Sequence, residues 1–180
     1  WNFPEDAEQP AGSTNVHPDH LVGRLGALGI TAALVGREQS DEGAHVEAAQ
    51  FETIIHMLGD LLARESQYPG SVRPQGNASS LGSPWGVYAC EGDDVWCAIN
   101  IRSDEEWQTL CTALGDPEWS RAEAFASEPG RRAAAAEIDR GIGEWTASQD
   151  ARSVMETLQS LGVPAGVFAK GNHLFEDPQL

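Results

Sequence analysis

Two imidazoles and a carboxylate stand together in the sequence His17-Pro18-Asp19-His20. Groups of these types can bind a metal ion or transfer protons. A zinc site needs three or four ligands in suitable geometry, and no second cluster of such residues occurs elsewhere in the sequence. We therefore predict that the chain holds no metal. Because an apolar helical pattern follows directly, the default role of Asp19 is the N-cap of a helix, where its carboxylate accepts hydrogen bonds from backbone N–H groups.

The cysteines suggest a structural role. Cys90, Cys97 and Cys111 are odd in number and form no Cys-x-x-Cys pair. This usage is typical of reduced core thiols in a cytoplasmic protein, rather than of a disulfide framework, a zinc site or a redox site. The sequence also lacks a Gly-x-Ser-x-Gly elbow, a P-loop and a dinucleotide fingerprint. Residue types alone thus indicate no particular enzyme class.

The chain is strongly acidic, with 11 basic and 28 acidic side chains and a formal net charge of −17. Binding to nucleic acid or to an anionic membrane surface requires clustered basic residues, so we predict neither partner. The longest apolar run, residues 21–36, is shorter than the roughly 20 residues that cross a bilayer, and it contains Arg24. A content of 41% hydrophobic residues is sufficient for a packed core.

The elements that must position Asp19 begin after a polar lead-in over residues 1–18. Apolar residues recur with helical spacing over residues 20–35, and this helix contains Gly23, Gly26 and Gly29. Each glycine costs about 1 kcal/mol relative to alanine in a helix interior. Their spacing makes a smooth strip that suits either a tightly packed helix or the approach of a ligand. A second helix is predicted from the stripe Ala48, Phe51, Ile55, Leu58 and Leu62.

The middle of the chain changes character over residues 67–85, which are rich in proline, glycine and serine without periodicity. We interpret this segment as a linker or an active-site loop. It separates residues 1–66, with the two helices, from residues 86–180, a small α+β domain. The elements predicted there are a β-hairpin with strands 87–90 and 95–99, a helix behind the capping box Ser103/Glu106, a helix over 135–145, a helix capped by Asp150 with Val154, Leu158 and Leu161 inward, and a strand over 163–168.

Three blocks of the sequence resemble a known family in their order and spacing. The first is Asp19 followed, thirteen residues on, by Ala32-Ala33-Leu34-Val35-Gly36-Arg37-Glu38 and then Gly43 and Val46. The second is Gly76-Asn77-Ala78 followed by Pro84, Cys90-x-Gly92 and the strand 95–99. The third is Gly162-Val163-Pro164-Ala165-Gly166-Val167 with the closing Asp177-Pro178. Together they resemble the family III CoA-transferases, which include formyl-CoA and carnitine CoA-transferases.

The resemblance implies an α/β protein, α+β within these residues, in which the first part contributes helices to a large Rossmann-like domain. It implies transfer of CoA between an acyl-CoA thioester and a carboxylic acid, and it places Asp19 on the family's nucleophilic aspartate. Gly76, Asn77 and Gly82 then belong to a loop that contacts the substrate or CoA. No permanently bound cofactor is implied, since the CoA thioester is a substrate.

The resemblance also implies a longer protein, because the family's CoA-binding front portion is absent from these residues. The expected assembly is an interlocked homodimer, or a pair with a partner chain that supplies the CoA-binding domain. Two alternatives stay open. One is an α-methylacyl-CoA racemase, although Asn100 and its neighbours include no glutamate where that group has one. The other is a non-catalytic subunit that keeps the fold and binds acyl-CoA.

Overall fold

The computed structural model describes residues 16–175 together with residues 177 and 180. The predicted lead-in therefore lies almost entirely outside the described residues, as does Pro178 of the third sequence block. Contacts divide the chain into two compact units, residues 1–74 and residues 75–180. The division falls inside the segment 67–85 that the sequence marks by its composition.

The described residues of the first unit, 16–74, contain helices α1 (His17–Ser40), α2 (Gln50–Met57) and α3 (Gly59–Gln67). The long first helix agrees with the predicted periodicity. The prediction of a single second helix was wrong, because two shorter helices, α2 and α3, occupy that part of the chain. Its pattern is interrupted at Leu58, whose backbone leaves the helical region with φ −92° and ψ 15°. Gly59 follows directly. A glycine favours such an interruption because it loses more conformational entropy than other residues when it enters a helix.

The apolar stripes of the first unit are open to solvent. None of the described residues of α1, α2 or α3 is buried. Leu28 is 65% exposed and Phe51 is 74% exposed. Burying such a side chain contributes about 1.5–3 kcal/mol, so this unit leaves much of its available stabilisation unused.

The second unit is built on a three-stranded antiparallel sheet in the order β1-β2-β3. Its strands are β1 (Trp85–Ala89), β2 (Trp96–Asn100) and β3 (Ala165–Val167). β1 pairs with β2 from Trp85↔Asn100 to Ala89↔Trp96, which confirms the predicted hairpin. β3 adds to the other edge of β2, where Cys97 faces Val167.

Four α-helices accompany this sheet: α4 (Asp104–Ala113), α5 (Glu128–Ala133), α6 (Ala135–Thr146) and α7 (Ala151–Ser160). Shorter 3-10 segments span Glu118–Arg121, Glu123–Ala126 and Gly171–Phe175. The α+β class predicted for these residues is therefore confirmed. The sequence patterns contained no signal for α5 or for the 3-10 segments.

One face of the sheet carries the hydrophobic core. Alternation along β1 and β2 directs Tyr88, Cys97 and Ile99 to this face, and α6 and α7 cover it. The fully buried aliphatic side chains include Ile138, Ile142, Val154 and Leu158. Leu161, predicted to point inward, is 49% exposed because α7 ends at Ser160 and Leu161 is its C-cap.

Two helix starts follow their sequence signals. The Ser103 hydroxyl accepts a hydrogen bond from the Glu106 N–H at 3.2 Å, and Asp150 Oδ1 accepts one from the Ser153 N–H at 2.9 Å. The reciprocal half of the capping box is shifted by one residue. The Glu106 carboxylate accepts from the N–H of Arg102 at 2.7 Å. It also forms an ion pair with the Arg102 guanidinium at 2.8 Å.

Candidate active site

Asp19 lies in the first turn of α1 and is exposed to solvent. The N-cap residue is Val16, whose carbonyl accepts hydrogen bonds from the N–H groups of Asp19 and His20 at 3.1 and 3.4 Å. The expectation that Asp19 itself is the N-cap was wrong. Pro18 explains the earlier start, because proline fits the first turn of a helix, where its missing N–H is not needed.

One side chain from another helix contacts this carboxylate. The side-chain amide of Gln50, the first residue of α2, donates a hydrogen bond to Asp19 Oδ1. The positive end of the α1 dipole also favours an anion in this first turn. Asp19 is thus oriented by one neutral donor, and its carboxylate stays open to solvent.

The glycine strip continues from Asp19 along α1. Gly23 and Gly26 lie one and two turns further on, so they share the face of Asp19. A methyl group at either position would meet no atom of the described structure within 4 Å. At Gly29 the same methyl group would lie 2.9 Å from Cγ1 of Val46. The strip therefore serves close packing at Gly29 and leaves open space beside Asp19.

The loop that carries Gly76, Asn77 and Gly82 belongs to the second unit. It turns at Gly76, which has a φ of +57°, and the Ala78 N–H donates to the Gln75 carbonyl at 3.0 Å. Asn77 is exposed, whereas Gly82 is buried. A methyl group on Gly82 would lie 1.9 Å from the Ile101 carbonyl oxygen, so the backbone packs there as only glycine allows. Asp19 and these three residues belong to different units.

Within the described part of the chain, no group of three or more histidine, cysteine, aspartate or glutamate residues is arranged to hold a metal ion. The three cysteines are free thiols, as predicted, and all are buried. Burial raises the pKa of Cys97 to about 11, so this thiol is neutral at ordinary pH. None of the described helices is long and apolar enough to cross a membrane.

Comparison with known proteins connects this arrangement to a family. Residues 3–180 match the sequence pattern of CoA-transferase family III. The chain belongs to CoA-transferase family III. This membership confirms the resemblance that the three sequence blocks indicate.

Individual relatives of this family III chain agree with the match. A probable CoA-transferase of Mycobacterium tuberculosis is 34% identical over 178 residues, which are 98% of this chain and 22% of that protein. The succinyl-CoA–D-citramalate CoA-transferase of Chloroflexus aurantiacus is 29% identical over 161 residues, which are 89% of this chain and 40% of that enzyme. A CaiB/BaiF family protein from Brucella suis has the same fold, with a TM-score of 0.88 and 24% identity. It is matched over 99% of this chain and 46% of its own length. The family III chain therefore spans less than half of each of these proteins.

Sequence reasoning missed one residue that supports the loop of this family III chain. Arg131, on α5, is fully buried. Its guanidinium donates to the carbonyls of Ser83 and Phe125 at 2.7 and 2.9 Å and forms an ion pair with Asp104 at 2.8 Å. It also lies 5.6 Å from the centre of the Trp107 ring. An arginine with no apolar periodicity around it gives no sequence signal for such burial.

Proposed function

We propose that the protein containing this chain transfers CoA from an acyl-CoA thioester to a carboxylic acid, with Asp19 as the nucleophile. The observation that carries the proposal is the match of residues 3–180 to CoA-transferase family III. The position of Asp19 supports its role, because its carboxylate is exposed and lies in the first turn of a long helix. The names of the relatives, one of them a succinyl-CoA–D-citramalate CoA-transferase, support the substrate class.

In the proposed reaction, the Asp19 carboxyl group first carries the acyl group and then carries CoA. A carboxylate oxygen of Asp19 attacks the thioester carbonyl carbon, the C–S bond breaks, and CoA leaves as its thiolate. The acyl group stays joined to the Asp19 carboxyl group as a mixed anhydride. The thiolate then attacks the Asp19 carbonyl carbon, which releases the donor acid and leaves an aspartyl-CoA thioester. The acceptor carboxylate repeats both steps in reverse, so the product is a new acyl-CoA and Asp19 is regenerated.

The residues around Asp19 would assist these steps in distinct ways. A carboxylate is a weak nucleophile and must be held ionised and correctly oriented. The positive end of the α1 dipole lies at the turn that contains Asp19, and the Gln50 amide fixes the direction of one oxygen. The open space at Gly23 and Gly26 leaves room for a thioester beside the attacking oxygen.

The loop that bears Gly76, Asn77 and Gly82 is our candidate for contact with the substrate or with CoA. Asn77 is the member with an exposed side chain, so its amide is the group that would form hydrogen bonds to a ligand. No permanently bound cofactor is part of this proposal. The acyl-CoA is bound and released in each cycle.

The proposal includes an assembly larger than this chain. The exposed apolar stripes of α1 and α2 require cover, and the chain spans less than half of the relatives it matches. We infer a homodimer, or a pair with a chain that supplies the CoA-binding domain. Three buried free thiols support a reducing compartment, so we assign the protein to the cytoplasm.

The covalent intermediate offers a direct test on the full-length protein. Incubation with acyl-CoA should form an adduct on Asp19 that hydroxylamine removes, detected by mass spectrometry of the intact protein and of its peptides. Asp19→Ala should abolish the adduct and lower the transfer rate by about a thousand-fold or more, because no other group replaces the nucleophile. Asp41→Asn is the matched control, since Asp41 ends the same helix and asparagine tolerates its φ of 58°.

The other outcomes identify the alternatives. Full transfer activity in Asp19→Ala would contradict the proposal. Binding of CoA without turnover, in a wild-type protein assembled with its partner, would identify a non-catalytic subunit. Exchange of the α-proton of acyl-CoA in deuterated water, without any acceptor acid, would identify a racemase.

A further inference from the structure

Two consecutive arginines of α5 bind the backbone of the loop over residues 76–83 in different ways. Arg131 is fully buried and binds the Ser83 carbonyl. The side chain of Arg132 is 43% exposed. Arg131 therefore belongs to the permanent core, and Arg132 lies where solvent competes for its contacts.

Arg132 spans the narrow part of the loop. Ser79 and Gly82 form an isolated antiparallel bridge, which we call the neck. The guanidinium of Arg132 donates to the Ser79 carbonyl at 2.8 Å and to the Gly82 carbonyl at 3.4 Å. One planar group thus binds both sides of the neck. Beyond it the loop is open to solvent, since Leu81 is 70% exposed.

The two sides of the neck differ in how firmly they are attached. Gly82 packs against the Ile101 carbonyl, and the next residue is held by Arg131. Ser79 lies on the side that leads back to Gly76 and Asn77. Among the contacts of the described residues, Arg132 is the side chain outside the loop that binds Ser79. Ser79 is therefore held in place by its backbone bridge to Gly82 and by the Arg132 side chain.

Glu128 holds the guanidinium in the required direction. Arg132 Nε donates to Glu128 Oε1 at 2.8 Å, one helical turn away, and Nη2 binds the same oxygen. An arginine can serve the carboxylate and two carbonyls together because it presents five N–H donors in a fixed plane. Exposed ion pairs such as Arg132–Glu128 contribute little to the free energy of unfolding, so the Arg132 side chain can leave and regain this position readily.

We propose that Arg132 is a positioning residue that fastens the neck and thereby holds residues 76–82 in the arrangement that meets the substrate. The contact with substrate rests on the proposed function; the fastening itself does not. Neither Arg132 nor Glu128 touches the reacting atoms in this scheme. Their effect is exerted through the loop.

The first measurement is hydrogen–deuterium exchange on the full-length protein. In Arg132→Gln the peptide covering residues 76–83 should exchange about three- to ten-fold faster, since a charged hydrogen bond exposed to solvent is lost. Arg132→Lys should restore part of the protection, because an ammonium group reaches one carbonyl but lacks the fork that spans two. Arg140→Gln on α6 is the matched control, another exposed arginine outside the loop and its contacts.

The second measurement is steady-state kinetics of transfer on the same variants. An open loop must be ordered each time substrate binds, so Arg132→Gln should raise KM by a similar factor and leave kcat nearly unchanged. Arg132→Lys should lie between wild type and Arg132→Gln in both measurements. A purely structural role would not give this graded match of loop exchange and KM.

Three results would overturn the proposal: unchanged exchange in Arg132→Gln, faster exchange that extends equally through α4 to α7, and faster loop exchange with an unchanged KM. A wild-type protein without transfer activity would instead count against the proposed function. In that case the exchange rates alone would still decide whether Arg132 fastens the neck.

Discussion

At the scale of single residues, the least expected feature is a pair of a buried phenol and a half-buried carboxyl group. The Tyr88 hydroxyl, on β1, donates to Asp139 Oδ1 on α6 at 2.7 Å. Tyr88 is 6% exposed. Its ring lies over Gly86, where a methyl group would come within 2.6 Å of the hydroxyl oxygen. The pair therefore fixes α6 on the sheet, and Gly86 makes room for it.

Burial raises the pKa of Asp139, although the hydrogen bond from Tyr88 works in the opposite direction. The folded protein thus holds the Asp139 proton more tightly than the unfolded chain. Stability from this group is fully present below the ordinary pKa of an aspartate and is lost as the pH rises through the raised value. At neutral pH the ionised Asp139 is therefore a net cost to the folded state.

Asp139→Asn should consequently stabilise the protein at neutral pH, because asparagine keeps an oxygen that accepts from Tyr88 and carries no charge. The gain should shrink as the pH falls through the raised pKa of Asp139. Urea unfolding at a series of pH values measures both effects. Glu137→Gln, an exposed charge on the same helix, should show neither. A lower stability of Asp139→Asn at neutral pH would contradict the conclusion that the charge on Asp139 destabilises the folded protein.

The candidate nucleophile shows how far single residues can be predicted. The sequence placed Asp19 at a helix start, and the structure puts it in the first turn of α1. Its contact with Gln50 joins residues 31 positions apart, and the contacts of Arg131 with Ser83 join residues 48 apart. Such partners are selected by tertiary packing. Neither propensity nor periodicity carries information about them.

At the scale of elements, predictions succeeded where the signal is local. The hairpin follows from alternation and a polar turn, and the start of α7 follows from one capping aspartate. α5 was missed because its six residues contain Pro129 and Gly130 and no apolar repeat. A methyl group on Gly130 would lie 1.7 Å from the Ala124 carbonyl, so this helix is positioned by close packing that the sequence does not display.

α6 contains two glycines with opposite environments. A methyl group on Gly141 would lie 2.4 Å from the Trp119 ring, whereas one on Gly143 would meet nothing within 4 Å. Gly141→Ala should destabilise the protein by about 1–3 kcal/mol, because the core is already filled there. Gly143→Ala should stabilise it by roughly 0.5–1 kcal/mol, because alanine favours the helix. Chemical denaturation of both variants measures the difference, and equal effects would refute the packing at Trp119.

At the scale of the whole molecule, stability is distributed unevenly between the two units. Every residue of the described hydrophobic core lies between Tyr88 and Val163, in the second unit. The helices of the first unit bury none of their described residues. Local helix propensity alone holds short helices poorly, so the first unit depends on apolar partners to cover its stripes.

This contrast predicts how the two units behave when separated. Residues 75–180 expressed alone should unfold cooperatively on heating, because they contain all of the hydrophobic core that the structure describes. Residues 1–74 alone should show helical circular dichroism without a cooperative transition, since isolated helices lack tertiary packing. Leu28→Gln on the open stripe of α1 should then leave the melting of the 180-residue chain unchanged, whereas Leu158→Ala in the core should lower its stability by about 2–5 kcal/mol. A sharp melting transition in residues 1–74 alone would show that the first unit has a core of its own.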